Sequence, residues 1–258
     1  MILSDSFRTM MRYSKYHPQG SPWNYEWSLV EALYYRNYIQ KLLTTNLSGA
    51  RIPRKIHQIW LGGELPEKYK QFTESWQRFH PDYEYKLWND EDAESFGMER
   101  IDAYHSSNNL GTRSDIFSYE ILRRYGGLYV DTDFQCLKPF DELLISLEFF
   151  TSVAYDPKLE IYHGLMASVP EHPILKSCVE DIVPYDGENG EKIMNASGPY
   201  HLTRCFLKNV TSETEGVVAF PVQFFYPWPN YDRFNKKPYE SIQPISYAIH
   251  HWFVSWNK

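Results

Sequence analysis

The run Tyr125-Gly126-Gly127-Leu128-Tyr129-Val130-Asp131-Thr132-Asp133 constrains this chain more than any other stretch of it. Leu128, Tyr129 and Val130 form a short apolar run entered through a glycine pair, a pattern that predicts a buried strand. The segment Ser114–Tyr125 just upstream is amphipathic and predicts a helix. Helix, glycine pair, strand and two acids one residue apart imply an α/β sheet that delivers carboxylates to solvent at a strand end. Mg²⁺ and Mn²⁺ take oxygen ligands and are commonly held by one or two carboxylates together with substrate phosphates. An Asp-Xaa-Asp triplet alone is weak, because acidic turn residues are common at strand ends; the preceding helix, glycines and strand are what point Asp131 and Asp133 toward a metal.

The formal charge of −7 argues against a nucleic-acid partner, which would call for a basic face. A nucleotide ligand remains compatible, since one cation and a few local arginines can serve a diphosphate. Much of the content of 44 aromatic residues (21 Tyr, 15 Phe, 8 Trp) must be ordinary core, but sugar- and base-binding clefts also use aromatic faces. Cys136, Cys178 and Cys205 are odd in number and scattered, so neither a disulfide framework nor a zinc cluster is suggested, and a reducing compartment fits. The N-terminus does not read as a signal peptide, and no apolar run approaches the ~18–20 residues of a spanning helix. The expectation is a cytoplasmic protein, free or peripheral to a membrane, with a lumenal domain trimmed of its anchor as the alternative.

Ser21 and Pro22 predict a capped helix start, followed by helically spaced apolar residues from Trp23 to Leu43; this aromatic stripe reads as packing. The chain divides in this reading into a helical extension over 1–50, packed on the body, and an α/β domain over 51–258. Lys55–Trp60 predicts the first strand of that domain, Glu67–Phe79 a helix and Tyr83–Trp88 the next strand. Asp90–Phe96 and Ser114–Tyr125 follow as helices and Leu128–Val130 as the strand before the acids. Farther on the pattern gives strands over 149–154 and 164–169, helices over 172–182 and 200–207, and a last strand over 249–252. Strands alternating with helices imply a mainly parallel sheet that binds ligands beyond its carboxyl edge, where Trp60 and Asp131 both fall.

Three blocks then stand in order: Ile52 to Gly63, Arg113-Ser114-Asp115 through Asp133, and Tyr247 to Trp256 around Ile249-His250-His251-Trp252. Together they resemble the glycosyltransferase family with a DXD-containing sugar-binding region. Its relatives include yeast α-1,6-mannosyltransferases, α-1,4-galactosyltransferases, bacterial capsule transferases and, more distantly, the glucosyltransferase domains of clostridial toxins. The resemblance implies a GT-A fold, a nucleotide-diphosphate sugar donor (UDP-sugar before GDP-mannose), a Mn²⁺ or Mg²⁺ ion and transfer with retention to a hydroxyl acceptor, most simply a glycan. Residue by residue it implies that Trp60 stacks on the donor base, that Asp115 contacts donor-sugar hydroxyls, and that Asp131 faces ribose, sugar and metal-bound water. Asp133 and His250 become metal ligands, Tyr129 the strand aromatic beside the donor, and Ser255 and Trp256 a segment closing over the diphosphate. Relatives commonly carry an arginine where this chain has Ser118, so Arg113 becomes the candidate replacement. Two other readings stay open at this stage: a haloacid-dehalogenase-like phosphatase, which also sets two aspartates one apart, and a binding module without catalysis.

Overall fold

The computed structural model describes residues 6–11, 24–41, 51–154, 158–187, 189–234 and 238–253. A six-stranded sheet forms its centre, built from β1 (Lys55–Ile59), β2 (Glu84–Trp88), β3 (Gly127–Val130), β5 (Phe149–Val153), β6 (Ile161–Ser168) and β7 (Val217–Phe220) in the order β2-β1-β3-β6-β5-β7. Two further strands, β4 (Phe134–Cys136) and β8 (Ala248–His250), pair antiparallel beside it. The pairs β1–β2, β1–β3 and β5–β7 are parallel, and β6 alone runs against its neighbours. That single reversal positions the site. β6 enters the sheet at the edge where β1 and β3 leave it, so its first residues lie beside the acids that follow β3.

Every residue of β3 and β5 is buried, as a sheet covered on both faces requires. Phe149 meets His172 and Phe206 on one face, whereas Phe150 meets Phe140, Phe220 and Phe225 on the other. The helix Asn24–Tyr34 runs on into a π turn, Tyr35–Ile39, and adds Tyr34 and Tyr38 edge-on against Phe220 at 6.1 and 5.0 Å between ring centroids. Trp27 is fully buried, so the described part of the aromatic stripe is packing. Ser21 and Pro22 lie outside the described residues. No helix among the described residues is long and apolar enough to cross a membrane.

The glycine pair is fixed by backbone geometry. Gly126 (φ +61°) ends the helix Leu110–Tyr125, and a Cβ there would lie 2.7 Å from Ser168 O; Gly127 (φ +100°) passes so close to β1 that a Cβ would lie 2.7 Å from Lys55 O. Only glycine admits both the conformation and the approach. The preceding helix begins earlier than the apolar pattern suggests, at Leu110, because Asn109 caps it by accepting from Thr112 N. β8 ends at His250 where a strand through Trp252 was expected, since Trp252 adopts φ +56° and breaks the extended run.

Candidate donor and metal site

Asp131, Asp133 and His250 converge, with one ligand atom from each lying within 4.8 Å of the others. Asp131 leaves β3 at the sheet edge, and its backbone N–H donates to Gly164 O at 2.8 Å while Gln58 holds its carbonyl. The β4–β8 pairing sets Phe134 opposite His250 and so brings that imidazole to Asp133. His250 Nε2 lies 2.9 Å from Asp133 Oδ1, and the Phe253 N–H donates to Asp133 Oδ2 at 2.7 Å. The turn at Trp252 supplies that last contact. A left-handed conformation in a non-glycine residue costs on the order of 1 kcal/mol or more and persists only where surroundings fix it; here the indole donates to Trp228 O and stands edge-on to His250 at 4.1 Å.

The donor set fits a divalent cation on grounds internal to the site. Burial raises the Asp131 carboxyl to about 6, with the Asp133 charge adding to it against His163, His250 and Tyr129. Asp131 is thus short of positive charge, and the buried Nδ1 of His250 has no hydrogen-bond partner among the described residues. Two carboxylates and an imidazole also suit Mn²⁺ chemically, Mg²⁺ relying on the carboxylate oxygens alone. Gly164 leaves the room: a Cβ at that position would fall 2.6 Å from Asp131 Oδ2 and 3.2 Å from Tyr226 Oη.

Asp115, from the first half of the Leu110–Tyr125 helix, is buried with both oxygens engaged. His163 Nε2 donates to Oδ1 at 2.6 Å and Ser197 Oγ to Oδ2 at 2.9 Å. Burial works against a charged His163, but the Asp115 charge and hydrogen bond, with Asp131 beyond, carry it up to about 9. The Asp115 charge thus favours the protonated ring, and the buried Nδ1 of His163 has no hydrogen-bond partner among the described residues. Nothing local in the sequence singles out His163, Ser197 or Gly164, because antiparallel β6 and the turn before Pro199 bring them in.

Tyr129 is buried, and its hydroxyl donates to Asp131 Oδ1 at 2.8 Å. Arg113 Nε donates to Ser107 O at 2.7 Å and its guanidinium lies 5.2 Å over the Tyr104 ring, so its contacts are away from Asp115. Ser118 is fully buried and donates to Asp115 O at 2.7 Å. Ser255 and Trp256 lie outside the described residues.

Trp60, half-buried at the carboxyl end of β1, lines a groove of about 440 Å³ with Gly63, Glu64, Leu65, Leu87 and Asn89. Tyr69 lies against its ring at 4.8 Å, and Phe253 stands edge-on to Tyr69 at 5.8 Å. An aromatic chain thus links the groove to the segment whose backbone holds Asp133. His251 points elsewhere, stacking on Phe72 at 4.3 Å and bonding Gln135.

Residues 66–150 match the family described as "Glycosyltransferase sugar-binding region containing DXD motif". Inositol phosphoceramide mannosyltransferase 1 of Schizosaccharomyces pombe is 30% identical over 190 residues, 70% of this chain and 59% of that protein. Mannosyl phosphorylinositol ceramide synthase SUR1 of Saccharomyces cerevisiae is 32% identical over 159 residues, 59% of this chain and 41% of that protein. The lactosylceramide 4-alpha-galactosyltransferase of Mus musculus is 30% identical over 161 residues, 55% of this chain and 41% of that protein. The chain thus spans between 41% and 59% of the length of these relatives. Among solved structures, PaToxG Glycosyltransferase shares the fold, with a TM-score of 0.51 at 16% identity over 72% of this chain and 75% of that one. The resemblance read from the sequence is borne out, and with it the GT-A type of mixed, mainly parallel sheet.

Proposed function

We propose that this chain, which carries the sugar-binding region of DXD glycosyltransferases, is a metal-dependent transferase moving a hexose from a nucleotide-diphosphate sugar to a hydroxyl acceptor with retention. The observation that carries this reading is the convergence of Asp131, Asp133 and His250 at the sheet edge shared with the Trp60 groove. The groove takes the nucleobase against Trp60. Asp131, Asp133 and His250 hold the cation; when bound, Mn²⁺ or Mg²⁺ supplies countercharge for the departing diphosphate. Asp115 and the His163 Nδ1–H face the donor sugar, the first accepting from and the second donating to its hydroxyls. Tyr129 acts through Asp131, fixing the orientation of its carboxylate. Ser255 and Trp256 close over the diphosphate and exclude water, while residues 1–50 serve as an extension packed on a catalytic domain over 51–258.

For the reaction itself, Asp115 is tied to His163 and Ser197, and Asp131 to Tyr129. We therefore assign neither as a nucleophile. The acceptor hydroxyl attacks on the face the diphosphate leaves, and a leaving-group oxygen takes its proton. Positioning and charge stabilisation then supply the rate enhancement.

Relatives named for mannosyl transfer to inositol phosphoceramide favour a mannosyl donor such as GDP-mannose over the UDP-sugar expected from sequence, and a glycolipid head-group hydroxyl as acceptor. The phosphatase reading accounts for neither His250 on Asp133 nor the Trp60 groove. A nucleotide-sugar panel with Mn²⁺ tests the assignment: slow release of nucleoside diphosphate from one donor supports it. Release of inorganic phosphate instead, or of nothing with any donor and acceptor, would overturn it.

A further inference from the structure

A second convergence of ligating side chains lies apart from the donor site. Cys178, His201 and Cys205 each place a ligand atom within 4.8 Å of the other two, and all three are buried. His201 and Cys205 stand four residues apart on the helix Pro199–Asn209 and so share a face, while Cys178 reaches them from the last turn of the helix Pro173–Glu180. The cysteines are scattered in sequence, but the packing of these two helices brings Cys178 and Cys205 together around His201.

The hydrogen-bonded side chains already stand at separations an ion could bridge. Cys205 Sγ lies 3.7 Å from His201 Nε2. With Zn–S of ~2.3 Å and Zn–N of ~2.0–2.1 Å, a tetrahedral ion would hold those two atoms about 3.6 Å apart. The Cys178 carbonyl accepts the His201 Nε2 hydrogen bond at 2.8 Å, a bond the ion must replace. It belongs to a last helical turn, where carbonyls lack intrahelical N–H partners and the helix dipole presents its negative end, an environment that favours a cation. Charge points the same way. A buried thiolate is costly without a countercharge, whereas two thiolates and one divalent ion sum to zero.

We propose that Cys178, His201 and Cys205 bind Zn²⁺, a thiophilic divalent cation, and so pin the Pro173–Glu180 helix to the Pro199–Asn209 helix. Loading releases the two thiol protons to solvent and moves the imidazole proton to Nδ1, which frees Nε2 for the ion; the Cys178 carbonyl serves as a fourth, oxygen donor by moving from its 2.8 Å contact to the ~3.3 Å separation of tetrahedral ligands. Arg204 Nη2 then gives up its 3.5 Å contact with Nδ1 and keeps the Asn195 carbonyl at 2.6 Å.

The test uses the reduced full chain carrying Asp133→Ala, so that the oxygen- and nitrogen-lined donor site does not compete. Titration with Co²⁺ should give a near-ultraviolet sulfur-to-cobalt charge-transfer band that saturates at one equivalent and is bleached by Zn²⁺. Cys178→Ser and Cys205→Ser should each weaken it and the double variant abolish it. His201→Gln still donates to the Cys178 carbonyl, so it should keep the fold by circular dichroism while weakening Co²⁺ at least tenfold. Zn²⁺ at 100 times its Kd should raise Tm in the parent but not in His201→Gln. A parent chain with neither band nor Zn²⁺-dependent Tm shift, or a band that survives in the double cysteine variant, would overturn the site.

Discussion

Asp133 holds His250 across 117 residues of chain, its Oδ1 lying 2.9 Å from the imidazole Nε2. The same carboxylate accepts from the Phe253 N–H. One aspartate therefore organises the proposed metal ligands and the backbone that follows them, so its removal has two separable effects.

Asp133→Ala leaves the buried His250 imidazole and the part-buried Phe253 N–H without their partner, and the buried donor costs about 1–3 kcal/mol where water cannot replace it. Asp133→Asn keeps an acceptor oxygen and its Tm should stay nearer the parent, yet metal-dependent donor turnover should fall about 100-fold or more in both variants. Calorimetry and diphosphate-release assays with Mn²⁺ check this. Near-parental turnover by Asp133→Asn would remove Asp133 from the metal.

Trp60→Ala should raise the donor KM about 3- to 10-fold with a smaller change in kcat, because stacking is equal in ground and transition states. Initial-rate kinetics over a donor series give the split. A variant that loses only stability, with unchanged KM in the folded fraction, would return Trp60 to the core.

Gly164→Ala sets a methyl group 2.6 Å from Asp131 Oδ2 and must displace that carboxylate or the strand. Overpacking of this kind costs typically ~1–3 kcal/mol, and at this position the cost should fall mainly on turnover. Loss of stability without loss of kcat would show that the strand, not Asp131, yields.

Acid should destabilise the fold through His57 and His172. Burial lowers each to about 4, and each needs its neutral form: His57 Nδ1 accepts from Trp88 Nε1, and His172 Nδ1 accepts from Ile174 N. Between pH ~6.5 and ~4 the unfolded chain binds the extra proton, so stability present above 6.5 is lost as pH falls through that window, on the order of 2–3 kcal/mol per group. Urea unfolding at several pH values should show His57→Gln with a shallower decline. Parallel curves for variant and parent would refute the assignment.

Removing residues after Phe253 should leave a folded sheet but lower turnover several-fold and raise the share of donor lost to water. Donor with Mn²⁺ should protect this segment from protease, whereas either alone should not. Equal cleavage under all three conditions would exclude closure.

What the sequence made legible is local. Asp131 and Asp133 announce themselves because glycine pair, strand and acids are contiguous, and Trp60 because its block is. His163, Ser197 and Gly164 stayed hidden, since their meaning arises only when β6 runs antiparallel beside β3 and when Ser197 reaches the oxygen that His163 leaves. β4, β7 and the short helices Ile101–Ser106, Asp141–Ser146 and Gly190–Ala196 likewise escaped, being too brief for hydrophobic periodicity to emerge. The Trp252 turn had no local signal at all, because neighbouring aromatic rings hold it in place.

The pairing of β4 with β8 makes the proposed metal centre a timer for folding. β1, β2 and β3 can associate before the chain beyond residue 240 takes its place, but a ligand set divided between Asp133 and His250 exists only after that distant closure, and wide loops close late because their entropy is lost before contacts repay it. During refolding, tyrosine burial should therefore precede the recovery of Mn²⁺ affinity, and a chain caught between the two phases would be compact yet blind to its donor.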